Sequence, residues 1–309
     1  MLAALALAGA AIAAQVDPAL PSYEPRAFVV PKDRVRVVGY NDMKEILAAM
    51  GETFEALHPG YHIEFELPGT RFAPSALAEG RSAFAPMGAE LTPPQLIEYR
   101  EKVGADPVAI RIAHASLDPR ALSGPVAIFV NRRNPVASIG MDRLARAYAG
   151  GAKTWGDLGA RGDWAAKPVH AYGLKPDTAL AYFFRDRVLG GRLFGGHVVG
   201  FPQSVDVVGK VAEDPLAIGF AAAMRETHGV KALAVGEPPV ALDEENIRAG
   251  RYPLDRYLLI YVRPPVAPHV REFVRFALSR EGQMAVAASP QGYLPLSAAQ
   301  AAAELAKLP

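Results

Sequence analysis

The sequence predicts an α/β fold in two lobes, each a mainly parallel sheet flanked by helices. Short β-branched or wholly apolar runs alternate with stretches of helical spacing, and Gly-, Pro- or polar-rich turns separate them. The 309 residues suit two lobes of ordinary size, each able to bury its own core.

Arg34–Tyr40 (RVRVVGY) predicts the first strand, and Met43–His58 the first helix. Met43, Ile46, Leu47, Met50, Phe54 and Leu57 recur there at helical spacing before Pro59-Gly60 ends the run. His62–Leu67 reads as a strand, Pro74–Glu79 as a short helix and Ala83–Met87 as a weak strand. Helix Pro93–Val103 and strand Val108–His114 follow. Val126–Asn131 (VAIFVN) is a continuous apolar run, the pattern of a strand covered on both faces. Helix Met141–Tyr148, strand Val169–Gly173, helices Thr178–Val188 and Val205–Ala212, and strand Ala217–Ala222 come next. Tyr257–Val262 (YLLIYV) is a second wholly apolar strand, and helices Val270–Leu278 and Gly282–Ala288 close the fold.

In such sheets a ligand sits beyond the carboxyl ends of the strands, where loops open helices. Three junctions have this character: Gly39–Asp42, Pro68–Arg71 and Gly173–Thr178. Helix N-termini expose unpaired N–H groups and the positive end of the helix dipole, so they favour anions. Taken alone, each junction reads first as an ordinary loop with an N-cap. Asp42 suits an N-cap as well as a ligand group, and Arg71 and Lys175 suit solvated surface positions as well as anion contacts.

Composition excludes several classes. Lys plus Arg number 33 against 32 acids, which leaves no basic excess for a nucleic-acid binder. There is no cysteine, hence no disulfide, thiolate metal site or lipid anchor on cysteine. Histidines at 58, 62, 114, 170, 197, 228 and 269 form no HExxH pattern, and no GxSxG elbow is present. These absences argue against an exported hydrolase and predict no catalytic residues, metal or cofactor. Met1–Val16 (MLAALALAGAAIAAQV) carries no charge and is shorter than the ~20 residues of a membrane span. It reads as a secretion signal over residues 1–14, cut after the small residues of Ala11-Ile12-Ala13, though it lacks a positively charged start. The other reading is a buried N-terminal helix. Residues 15–32, rich in proline, read as an extended lead-in.

Several stretches, in order, resemble the phosphate-binding component of bacterial phosphate ABC transporters. They are Leu57-His58-Pro59, Gly124–Pro135 (GPVAIFVNRRNP), Ala147–Leu158 (AYAGGAKTWGDL) and Ala212–Phe220 (AEDPLAIGF). Gly250–Leu254 (GRYPL) with Tyr257–Val262, and Ser279–Gln283 (SREGQ) with Gly292–Leu296 (GYLPL), complete the series. The resemblance spans about Val35 to Leu296 and implies a type II periplasmic-binding-protein fold. Residues 33–124 and 257–309 would form lobe 1 and residues 125–256 lobe 2, joined by two crossing segments, with phosphate or a related small oxyanion in the inter-lobe cleft. It also implies a periplasmic monomer that delivers its solute to an inner-membrane permease by a hinge motion.

Carried over residue by residue, the resemblance gives the site Tyr40, Asn41, Asp42, Gly69, Thr70, Arg71, Lys175, Asp177 and Thr178. Gly39 keeps the family's first-loop glycine, but Tyr40, Asn41 and Asp42 follow where Ser and Thr are usual. A family aspartate that accepts a proton from phosphate falls at Ala83, and an arginine of the third loop falls at Leu174. These departures motivate a second expectation, a transport-inactive scaffold or sensor that keeps the fold and has lost phosphate binding.

Overall fold

The computed structural model describes residues 15–223 and 228–309; the expected signal segment, residues 1–14, lies outside the described residues. The chain divides into two compact units, unit 1 from Met1–Ser123 with Tyr257–Pro309 and unit 2 from Gly124–Arg256.

In unit 1, β1 (Val35–Val38) leads through a 3-10 turn at Asn41–Met43 into α1 (Lys44–Leu57). Then β2 (Ile63–Glu66) leads through a 3-10 turn at Thr70–Phe72 into α2 (Ala73–Ala78). β3 (Ala85–Met87), α3 (Pro93–Val103) and β4 (Val108–His114) complete the first pass. Unit 2 contains β5 (Val126–Asn131), β6 (Ser138–Ile139), α4 (Met141–Ala149), β7 (His170–Leu174), α5 (Ala179–Leu189) and β8 (Val199–Phe201). It continues with α6 (Ser204–Glu213), β9 (Ala217–Ala222), β10 (Val230–Ala232), β11 (Ala234–Val235) and α7 (Glu244–Arg248). The chain then returns to unit 1 as β12 (Tyr257–Val262), α8 (Pro268–Ala277), α9 (Arg280–Ala287) and α10 (Ala298–Leu305).

The sheets are mixed, which corrects the expectation of mainly parallel ones. β1 pairs β2 in parallel, and β7 pairs both β8 and β9 in parallel. β12 lies antiparallel between β3 and β4, and β5 antiparallel between β10 and β9. The reason lies in how the chain enters each unit. Tyr257, the first residue of β12, pairs with His114, the last of β4, and Val126, the first of β5, pairs with Ala222, the last of β9. A strand that begins at its neighbour's carboxyl end must run against it. Both entering strands are the wholly apolar runs, and both are buried along nearly their whole length.

The helices form because one stripe of each is apolar. On α1, Ile46, Leu47, Met50 and Phe54 are all fully buried. On α8, started by Pro268 at a position where a missing N–H costs nothing, Val270, Phe273, Val274 and Phe276 face the core. Their rings meet in unit 1, with Phe54 5.3 Å and Phe84 4.8 Å from Phe273. Unit 2 is centred on Phe184 stacked 4.1 Å from Phe220, with Tyr148 packed edge-on at 4.8 Å. Trp155 is fully buried there, its Nε1–H donated to Leu216 O at 3.0 Å. Each such ring contributes about 1.5–3 kcal/mol by burial.

Residues 15–34 have no regular structure but are pinned to unit 1. Leu20 is buried, Ala298 N–H donates to Asp17 Oδ2 at 2.9 Å, and Tyr23 N–H to Glu281 Oε2 at 2.7 Å. A third closing helix, α10, follows the two expected; Ser297 and Gln300 cap it reciprocally.

Candidate functional site

In unit 1 the carboxyl ends of β1, β2 and β3 converge. Gly39 N–H donates to Glu66 O at 3.0 Å, Gly69 N–H to Gly39 O at 2.9 Å, and Tyr40 N–H to Pro86 O at 3.0 Å. These bonds lock the loops Gly39–Asp42 and Gly69–Arg71 to each other and to the end of β3. Gly39 is required by this closeness, since a Cβ there would stand 2.4 Å from Pro86 O. Both loops open helical segments. Met43 N–H returns to Tyr40 O and Phe72 N–H to Gly69 O, so Asn41, Asp42, Thr70 and Arg71 are the residues whose N–H groups precede any intrahelical acceptor. The convergence therefore presents two helix N-termini together, an arrangement suited to an anion.

The expected site residues fare differently. Asn41 is exposed, with its Oδ1 at 4.0 Å from where a Cβ on Gly69 would lie, so it borders the Gly69 turn. Thr70 is half-buried, and its Oγ1 accepts a long 3.5 Å bond from Gly88 N–H. Arg71 is exposed, and its guanidinium lies 4.6 Å over the Phe72 ring. No carboxylate pairs with Arg71 among the described residues, which leaves it available to an anion.

Asp42 and Tyr40 are both bonded within unit 1. Asp42 is buried, and its Oδ2 accepts from Leu122 N–H at 2.9 Å and from the Tyr293 hydroxyl. The N-cap residue of its turn is Tyr40, which makes no side-chain capping bond. The Asp42 carboxylate is a structural acceptor, turned from the anion-favouring N–H groups towards the segment that ends unit 1's first pass. Burial, then the neighbouring Tyr40 and the Asp42 carboxylate, push the Tyr293 phenol far above its ordinary range. Tyr40 is also buried, its hydroxyl 3.0 Å from Ser123 Oγ, while Ser123 Oγ donates to Gly88 O at 2.8 Å. With the Ser123 proton on Gly88 O, the Tyr40 hydroxyl is the donor of the pair.

Ala83 is the wrong position for a ligand carboxylate. It lies at the amino end of β3, its N–H on Arg36 O at 2.9 Å. The residue that β3 delivers to the converging loops is Gly88, which the sequence reading missed. Only the strand's direction reveals it. Gly88 has no side chain to accept a proton, and the Tyr40 ring takes the space: a Cβ on Gly88 would stand 2.2 Å from Tyr40 Cε1.

The third loop belongs to unit 2 and follows β7. Lys175 N–H donates to Phe201 O at 2.8 Å, tying the loop to β8. Lys175 and Asp177 are exposed, whereas Thr178 is a cap: its hydroxyl donates to Lys175 O at 2.9 Å and accepts Ala181 N–H at 3.2 Å. Leu174 is buried and offers no polar atom.

Among the described residues, no group of three or more His, Cys, Asp and Glu side chains could hold a metal ion. Nor is any helix among them long and apolar enough to cross a membrane.

Comparison with known proteins supports the same scaffold. Residues 15–281 match the model of the PBP superfamily domain. A Pseudomonas aeruginosa protein named phosphate-binding protein PstS is 30% identical over 311 residues, covering 96% of this chain and 92% of that protein. A Bacillus subtilis protein of the same name is 24% identical, over 84% of this chain and 80% of its own length. Among solved structures, an ABC-type phosphate transport receptor from Vibrio cholerae superposes with a TM-score of 0.58 at 18% identity, covering 84% of this chain and 99% of that one. PstS from Borrelia burgdorferi gives a TM-score of 0.58 at 17% identity, over 86% and 100%. At these identities the superpositions show the α/β fold of type II periplasmic binding proteins and nothing finer.

Proposed function

We propose that this chain, which belongs to the PBP superfamily as a PstS-like protein, is the phosphate-capturing component of an ABC transporter. One observation carries the reading: the match to a phosphate-binding protein runs over 96% of this chain and 92% of the relative. The geometry of unit 1 supports it. Two helix N-termini meet at the strand ends with the Arg71 guanidinium exposed beside them, a donor set suited to a small tetrahedral oxyanion. The chain is a binding protein rather than an enzyme, as its family is. Export to the periplasm, a monomeric state and delivery to an inner-membrane permease belong to the same proposal.

Titration calorimetry of the full chain with phosphate, sulfate and a simple phosphonate tests it. Saturable heat with phosphate at one site is the expected result. No heat and no thermal shift with any of the three would overturn it.

A second reading is favoured by three observations. The Tyr40 ring fills the space above Gly88, and the Asp42 and Thr178 side chains already have partners within the fold. A scaffold or sensor that has lost phosphate binding would look this way, and the same calorimetry separates the two.

A further inference from the structure

We infer that the cavity between the lead-in segment and the closing helices of unit 1 is a second ligand site, one for an apolar amino acid held as its zwitterion. None of its lining residues belongs to the three loops, so the inference stands apart from the phosphate-capture reading.

The cavity measures about 360 Å³, within the ~300–1,000 Å³ of small-molecule sites. The lead-in lines one side, and Arg275 and Leu278 at the end of α8, with α10, line the other. α10 faces it with Ala298, Ala301 and Ala302, whose single methyl groups leave the space unfilled, and Leu278 and Leu305 add apolar surface. Both walls are fixed. Arg280 N–H donates to Pro21 O at 2.9 Å, Tyr23 N–H to Glu281 Oε2 at 2.7 Å, and Ala298 N–H to Asp17 Oδ2 at 2.9 Å. Glu24, Ala302 and Leu305 are exposed, so the cavity opens to solvent.

Two opposite charges at the cavity have unused bonding capacity. Glu272 accepts from the Tyr23 hydroxyl, from Arg26 N–H and from Arg275 Nη1, the last at 2.7 and 2.9 Å. Arg275 thus commits one nitrogen to Glu272, while its Nε–H and Nη2–H groups have no acceptor among the described residues. Those two nitrogens form one edge of the guanidinium, a fork that matches a carboxylate. The side chain is 17% exposed, which leaves that edge accessible. Glu24 pairs with no cation among the described residues. A ligand that satisfies the whole lining brings a carboxylate for Arg275, an ammonium for Glu24 and an apolar group for the alanines and leucines. The zwitterion of an apolar amino acid carries all three on one carbon. A carboxylate alone would meet Glu24 uncompensated, and an amine alone would leave the Arg275 fork empty.

The test is titration calorimetry of the full chain with leucine, isopentylamine and isocaproate, the last two being leucine without its carboxylate and without its ammonium. Saturable heat with leucine is expected, with each fragment bound at least about 10-fold more weakly. No saturable heat with leucine, or either fragment bound as tightly as leucine, overturns the inference. Two substitutions then locate the site. Ala302→Phe fills the cavity from an exposed position and is expected to abolish leucine binding with the unfolding midpoint unchanged. Glu24→Gln is expected to raise the leucine Kd about 10-fold, the worth of a charge-assisted hydrogen bond. Unaltered leucine affinity in both variants overturns the assignment to this cavity; if Ala302→Phe does not fold, unaltered affinity in Glu24→Gln does so alone. Phosphate titrations of the same chain report separately on phosphate capture, and their failure leaves this inference standing.

Discussion

The Tyr40 ring occupies the volume that any side chain on Gly88 would need. A Cβ built on Gly88 meets Tyr40 Cε1 at 2.2 Å, Tyr40 Cζ at 2.4 Å and Ser123 Oγ at 2.7 Å. Ring and backbone are held in place by the chain of bonds from the Tyr40 hydroxyl to Ser123 Oγ and on to Gly88 O. This packing decides what the end of β3 offers a ligand, namely backbone and no carboxylate.

Gly88→Ala is therefore expected to destabilise the protein by about 1–3 kcal/mol through overpacking. In a Tyr40→Ala background the same substitution should cost much less, because the clashing ring is gone. Urea unfolding of the two single variants and the double variant measures the coupling. Additive costs would show that the two positions do not share this space.

The buried Asp42–Tyr293 bond gives a second expectation. Tyr293→Phe removes the hydroxyl that donates to Asp42 Oδ2, leaving that oxygen with Leu122 N–H. The expected loss is about 1–3 kcal/mol, the cost of an undersatisfied buried charged group. Asp42→Asn should also lower stability yet leave the phosphate Kd of the folded protein unchanged. A selective loss of phosphate affinity, with stability intact, would make Asp42 a ligand residue instead.

Stability should fall on mild acidification. His58 is buried beside Phe54, and its Nε2 lies 2.6 Å from the Tyr23 hydroxyl, which donates to Glu272 Oε1 at 2.8 Å. Burial depresses the His58 pKa, against a smaller opposing pull from Glu272, and burial also depresses that of His269. The fold thus favours the neutral form of both rings, while in the unfolded chain they take up protons near pH 6.5. Below that pH the unfolded state binds more protons, so stability is full above about 6.5 and declines as pH falls through it. Urea midpoints between pH 7.5 and 5 measure this, and His58→Gln should flatten the profile. A profile unchanged by that substitution would exclude His58 as a source.

The surface cations and the third-loop cap separate binding from folding. Thr178→Ala removes the hydroxyl that accepts Ala181 N–H and should cost about 0.5–2 kcal/mol of stability. Arg71→Ala should leave the unfolding midpoint in place, weaken phosphate binding and reduce its dependence on salt. Calorimetry at two ionic strengths checks this, and an unaltered Kd and salt dependence would place Arg71 outside the site.

Much of this protein follows from sequence alone, because the signals involved are local. The spacing of Ile46, Leu47, Met50 and Phe54 specifies a buried helix face, and the apolar runs at Val126–Asn131 and Tyr257–Val262 specify buried strands. The ordered stretches from Leu57-His58-Pro59 to Gly292–Leu296 carry the family. What only the tertiary structure decided depends on partners far apart along the chain. Strand direction turned the sheets from parallel to mixed, and it put Gly88 rather than Ala83 at the converging loops. Asp42 found Tyr293 across 251 positions, and Tyr40 found Ser123 across 83. A side chain's role is set by what surrounds it after folding, and no local pattern around Asp42 or Tyr40 encodes those neighbours.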